Sequence, residues 1–349
     1  MIKPLPQLTA AIAGLLLSGA CLAQDERWFK VEVMIFSQRS EAAAAAERWQ
    51  PTPILQYPGE SRFLLDPQRI SENAEMYEGQ SVVDEFGRQI ITLDNPLDED
   101  IDPALAEPED IKQALAENTG IDESQLDEPP TETVQRVTPT PFTRLGSDAR
   151  EFNSRASRMQ RTGRYDILFH EAWVQAVAPK NEALPIVVDR SGDNQTWPQL
   201  QGSIKLYLSR YLHIETNLWL NTMGQYLPQN WKIPAPPLGP LSLIIEEPEI
   251  PLEALIAAEN VAIPPVEELP GESPENAEII EPLSIDPGPV YPWRHAILLQ
   301  QKRKMRSTEV HYIDHPMLGV VALITPLSED DLAAMATAEF VTDSNQPLK

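Results

Sequence analysis

Between Ile233 and Val290 the chain places proline at 13 of 58 positions and carries 12 acidic side chains with no basic one. Proline removes a backbone donor and blocks helix interiors. A stretch this rich in proline and like charge cannot assemble a core, and its composition predicts an extended spacer. Residues 71–135 hold 19 acidic and 2 basic side chains, and from 94 to 140 they read the same way, with one short helix near Pro108–Ala116. The net charge of −26 therefore misleads: outside 71–135 and 233–290 the remainder of the chain is +3. Both stretches read as solvated insertions, or as acidic arms for a basic partner. Any core must come from the pieces between them.

One acidic run has the spacing of a calcium loop. Asp98, Asp100 and Asp102 alternate, and Glu109 follows eleven residues after the first. Pro103 stands where such a loop needs glycine at positive φ, which argues against calcium.

The start, "MIKPLPQLTAAIAGLLLSGACLAQDERW", has one cation, an apolar run and then small residues. This is the pattern of a secretory signal peptide, too short for a membrane anchor. Cleavage after Ala23 fits the small residues Cys21 and Ala23. Lipidation at Cys21 competes with it, but Ser18 stands where such signals prefer an apolar residue. Cys21 is the only cysteine, so the mature chain has neither disulfide nor cysteine nucleophile. The expected location is the periplasm.

In the core pieces, period-two alternation dominates. "RWFKVEVMIFSQR" (27–39) puts Phe29, Val31, Val33 and Ile35 on one face of a strand. "SEAAAAAERW" reads as a helix capped by Ser40. "SVVDEFGRQIITL" (81–93) alternates enough for a strand. From Thr143 to Gly163, Leu145, Ala149, Phe152, Ala156 and Met159 recur at helical spacing, and Gly163 supplies a stop. Arg144, Arg150, Arg155, Arg158 and Arg161 occupy the other faces of that helix, for solvation or for an acidic polymer or loop.

"RYDILFHEAWVQAV" (164–177) is a further strand. In "GSIKLYLSRYLHIETNLWL" (202–220) the even-numbered apolar residues from Ile204 to Leu220 share one face. Lys205, Tyr207, Tyr211, His213, Glu215 and Trp219 share the other. This is one long strand, or two joined by a bend near Arg210, buried on one side and wet on the other. Residues 294–326 give a strand, a basic edge, a second strand through Val310 and Tyr312, a turn at Asp314–Pro316 and an apolar strand "GVVALI". The tail reads as a loose helix.

The expected fold is α+β: a mainly antiparallel sheet of five or six strands, one packed helix and two long acidic insertions. The expected division is signal peptide 1–23, core strand and helix 24–93, insertion 94–140, core 141–232, insertion 233–290, core strands 291–326 and tail 327–349.

"EVHYIDHP" (309–316) is the one stretch that invites chemistry. Pro316 disfavours helix at His315, and no glutamate follows His311, so the helical zinc-hydrolase pattern is absent. A zinc site would need a third ligand from His170, His213 or His295. There is no G-x-S-x-G elbow and no phosphate-binding glycine loop. The stretch reads as a strand end with Asp314 holding a turn, or as part of a recognition patch beside "KRKMR". Neither a cofactor nor a metal is expected.

The blocks "FKVEVMIF", "YDILFHEAWVQ", "GSIKLYLSRYLHIETNLWL" and "KRKMRSTEVHYIDHPMLGVVALITP" resemble the CsiV-type peptidoglycan-binding proteins of Gram-negative bacteria. The resemblance covers the core blocks and misses both insertions. It implies a periplasmic, non-enzymatic protein that binds murein. It also implies a role in cell shape through an outer-membrane lipoprotein that activates a bifunctional penicillin-binding protein; no nucleic acid is implied.

From chemistry alone, Tyr207, Tyr211 and Trp219 are candidates to stack on sugars. Arg303, Lys304 and Arg306 are candidates to meet stem-peptide carboxylates, with Arg210, His213, His311, Tyr312, Asp314 and His315 completing the patch. Two other readings stay open. One is a murein hydrolase pairing Glu171 with Glu215 or Glu309; the other is a protein–protein scaffold that never touches murein itself.

Overall fold

The computed structural model describes residues 27–40, 45, 49–94, 138–224, 226–228, 230–247 and 289–344. The signal segment, most of the alanine-rich helix and the calcium-like run with Cys21 lie outside them, as do 95–137 and 248–288.

Two four-stranded sheets pack face to face. The first has the order β10-β11-β1-β4 and the second β5-β6-β7-β9. In the first, β1 (Trp28–Gln38) lies between β11 (Leu318–Pro326) and β4 (Tyr165–Ala176), with short β10 (His311–Ile313) outside β11. In the second, β6 (Leu200–Leu208) and β7 (Leu212–Thr222) form a hairpin, flanked by β5 (Ile186–Val187) and β9 (His295–Met305). A smaller three-stranded sheet has the order β2-β3-β8. It consists of β2 (Gly79–Val83), β3 (Gln89–Leu93) and β8 (Leu243–Glu246), and only its β3–β8 pair is parallel.

The core explains the alternation. Phe29, Val31, Val33 and Ile35 from β1 meet Ile204, Leu206, Ile214, Leu218 and Leu220 from the hairpin, all at most 6 % exposed. Burying apolar side chains in one layer between two sheets supplies the main driving force for folding. Gly202 in β6 sits at φ +118, and a Cβ there would lie 2.1 Å from the Asn217 carbonyl oxygen of β7. Only glycine fits both that conformation and that approach.

The α+β class and the antiparallel pairing hold. Several sequence expectations change in detail. The strand expected across 81–93 is the hairpin β2–β3, because Asp84 turns the chain by accepting from the Phe86 and Arg88 amides at 2.9 and 2.8 Å. The two-strand alternative holds for 202–220. The helix expected over 143–163 begins only at α2 (Asn153–Arg161), α1 being Pro67–Met76. Residues 142–145 instead run along the edge of β4, with the Phe142 amide donating to Val174 and the Leu145 amide to Ala172. Pairing with a sheet edge outcompetes helical spacing there. Gly163, at φ +67, does end the helix.

Residues 233–247, assigned by composition to the proline-rich insertion, belong to the folded part: Ile233 is buried beside Trp219 of the second sheet, and Leu243–Glu246 is β8 of the three-stranded sheet. The tail forms α4 (Glu329–Ser344), α3 being the single turn Ser191–Asn194.

Helix α2 covers the outer face of the first sheet through Phe152 and Ala156 against Met34, Phe36 and Leu323. No side chain of its own caps its start. Glu32 of β1 instead anchors the two residues that lead into it: its carboxylate accepts from the Glu151 amide at 2.7 Å, the Phe152 amide at 2.9 Å and His170 Nε2 at 2.8 Å. Burial pushes the Glu32 carboxyl up. The His170 contact and the two amides outweigh it, holding the group below its ordinary value.

Candidate functional site

The outer face of the second sheet is built in rows. Antiparallel register sets Ser203, Asn217 and Gln300 side by side, then Lys205, Glu215 and Lys302, then Tyr207, His213 and Lys304. Residues at matched positions on neighbouring strands stand about 5 Å apart, so each row is one contiguous surface. The 209–211 turn closes the last row and adds Arg210 and Tyr211.

Contacts knit these rows. The Tyr207 and His213 rings stack with centroids 5.1 Å apart. The Tyr207 hydroxyl donates to Glu215 at 2.9 Å, and Lys302 Nζ lies 3.6 Å from the same carboxylate. The Tyr207 hydroxyl first, with Glu215 behind it, holds the Lys302 ammonium above the usual lysine range. Lys304 Nζ sits 3.1 Å from the Tyr211 ring centroid and the Arg210 guanidinium 5.5 Å from it, as cation–π pairs do. Lys180, carried in by the bridge between Pro179 and Leu208, lies 5.8 Å from the Tyr207 ring.

The expected wet face is therefore only partly open. Residues 49–58 cross it: Asn217 Nδ2 donates to the Gln56 carbonyl at 2.8 Å, and Tyr57 packs edge-on against Trp219 at 4.9 Å. Trp219 is 0 % exposed and Tyr207 1 %, whereas Tyr211 is 42 % exposed. Trp219 thus leaves the candidate set as a sugar-stacking residue. Beside the crossing segment, a cleft of about 440 Å³ is lined by Pro58, Ser203, Lys205, Asn217, Gln300 and Lys302, among others. A second of about 440 Å³ continues it past Gln56 and Leu298, sharing Pro58, Asn217 and Gln300.

The remaining candidates fall elsewhere. Arg303 is exposed but has the register of inward-facing Ile214, so it leaves the face that carries Lys302 and Lys304. Arg306, His311, Tyr312, Asp314 and His315 form a separate group at the β9–β10–β11 turns. There His311 Nε2 contacts the Arg306 amide at 2.9 Å and carbonyl at 3.1 Å, and Arg306 pairs with Glu309 at 3.5 Å. The Tyr312 hydroxyl donates to Asp314 at 2.8 Å. His315 instead lies beside Trp49, with ring centroids 5.6 Å apart, and accepts from the Met317 amide.

The two histidines of "HYIDH" thus serve different turns. Among the described residues, no three of His, Cys, Asp and Glu come together as a metal site. The proposed acid pairs also stay apart in their contacts. Glu171 is held by Arg150 at 2.7 Å and Arg144 at 3.6 Å, Glu215 by Tyr207 and Lys302, and Glu309 by Arg306.

One buried network escaped the sequence reading. Asp189 accepts from the Ser191 amide and hydroxyl, from the Tyr57 hydroxyl at 2.7 Å and from the Gly202 amide at 2.9 Å. Gln201 extends it to Trp219 and Asn221. It fastens segment 49–58 to the second sheet and so sets the floor and wall of the clefts. Its only local sequence signal is Asp189 two residues before Ser191, an Asx-turn spacing.

No curated protein and no solved structure matches the chain. The family described as "Peptidoglycan-binding protein, CsiV" matches residues 7–327, and the chain belongs to that family.

Proposed function

We propose that this protein is a non-enzymatic periplasmic adaptor that holds peptidoglycan on the outer face of the β5-β6-β7-β9 sheet. We propose further that it supports wall synthesis and cell shape through an outer-membrane lipoprotein that activates a penicillin-binding protein. Family membership supports the polymer. The observation that carries the location is the lysine-bearing set of rows ending at Tyr211: Lys205 and Lys302 flank Glu215, Lys180 approaches Tyr207, and Lys304 and Arg210 approach Tyr211, in a chain of net charge −26. A local cationic field on an acidic protein attracts an acidic polymer and repels little of it.

The test is co-sedimentation of the mature protein with insoluble peptidoglycan stripped of attached proteins. Recovery in the pellet is expected. Recovery in the supernatant overturns direct binding and leaves the scaffold reading. An unchanged muropeptide profile after prolonged incubation is expected; new fragments would make the protein a hydrolase. For the partner, envelope extract is probed with the chain lacking only 248–288, because removing 233–247 would also remove β8 and Ile233 from the folded part.

A further inference from the structure

Resting on that reading, we infer that the face recognises the stem peptides of peptidoglycan, through their carboxylates and amides, and not the apolar faces of its sugars. Sugar stacking needs an aromatic ring with one open face. Of the three candidate aromatics on this face, Tyr207 and Trp219 are 1 % and 0 % exposed, and Tyr57 of the crossing segment lies edge-on against Trp219 with its hydroxyl on Asp189. The third, Tyr211, has the Lys304 ammonium 3.1 Å from its ring centroid and the Arg210 guanidinium 5.5 Å from it. A sugar ring reaching the face of Tyr211 that Lys304 covers must first displace that ammonium.

What the face does offer is ammonium groups and amides. Lys302 and Lys304 are exposed and alternate on one strand. Side chains two apart on a strand stand roughly 7 Å apart. Two ammonium groups at that separation can be met by two carboxylates of one extended stem peptide. Asn217, Gln300 and the Ser203 hydroxyl line the next row and the cleft beyond it, where they suit peptide amides. The cleft volume of about 440 Å³ falls within the usual size of a site for a small ligand. Glu215 is the one acid in these rows, engaged by the Tyr207 hydroxyl, against Lys205, Lys302 and Lys304, so the rows stay net positive toward an incoming carboxylate. Charge-assisted contacts of this kind are the strong class of polar contact and weaken with added salt.

Three ligands separate the alternatives for the mature full-length chain: intact insoluble peptidoglycan, glycan strands freed of peptide by an amidase, and a soluble stem tetrapeptide. Binding to the intact polymer and the tetrapeptide is expected, weakened by salt, with little binding to bare glycan strands. The double variant Lys302→Glu, Lys304→Glu is expected to lose tetrapeptide affinity by at least about tenfold. An unfolding midpoint close to the parent's confirms that its fold is intact. Bare glycan strands bound as tightly as the intact polymer overturn this inference and leave murein binding standing. So does tetrapeptide affinity unaffected by the double variant. Failure to bind the intact polymer overturns both.

Discussion

Glu32→Gln isolates the contact that joins α2 to the first sheet. The side chain is 1 % exposed and keeps its shape, but its two oxygens now serve three donors. Glutamine retains one accepting oxygen and turns an amide NH₂ toward a group that also donates. A hydrogen bond to a charged group contributes roughly 1.5–3 kcal/mol, so losing one or two of the three costs about 1.5–6 kcal/mol.

The cost carries a pH signature. The folded Glu32 carboxyl lies below its ordinary value of 4.5, so its stabilisation is present above that value. It is lost as pH falls through the folded value, where the wild-type side chain also takes a proton. Urea unfolding followed by tryptophan fluorescence, run in parallel on both proteins from pH 7 to pH 3, reads the difference directly. The gap is expected at full size near neutrality and to shrink below about pH 4.5. A gap that stays constant across the range would refute the charge argument and leave only a shape effect. No gap at pH 7 would refute the anchoring role.

Asp189→Asn points an amide NH₂ at one of two pairs of donors and strands at least one of them, at a cost of about 1–3 kcal/mol; a lowered thermal midpoint with loosened protease protection around 49–58 is the expected result. Removing metal with a chelator is expected to change neither the thermal midpoint nor recovery with peptidoglycan, because His311 and His315 serve separate turns; a shift in either measurement would reopen a metal site.

The strands were legible because alternation reports which face is buried, and a one-residue error would turn Val31 and Val33 outward. Alternation does not report which sheet a strand joins. Hence β1 and β7 read alike although they lie on opposite sides of the core. The site was half legible. Lys205, Tyr207, Tyr211, His213 and Glu215 share a face as their parity requires. The burial of Trp219 and Tyr207 depends on what crosses that face, and an irregular segment such as 49–58 has no period to read. The overlong helix fails for a related reason. The spacing of Leu145, Ala149 and Phe152 is compatible with a helix, but the free edge of β4 offers residues 142–145 backbone partners that no local pattern announces.

Strand β9 closes one side of its sheet, and its half from Gln300 to Lys304 is exposed. Unpaired strand borders invite the same border of another copy, and lysine is a common deterrent. Lys302 and Lys304, proposed above to meet the ligand, stand on that border and work against such pairing. Trading them for flat apolar groups, which would favour carbohydrate, would expose a self-complementary seam, so solubility itself constrains which chemistry this surface can evolve toward.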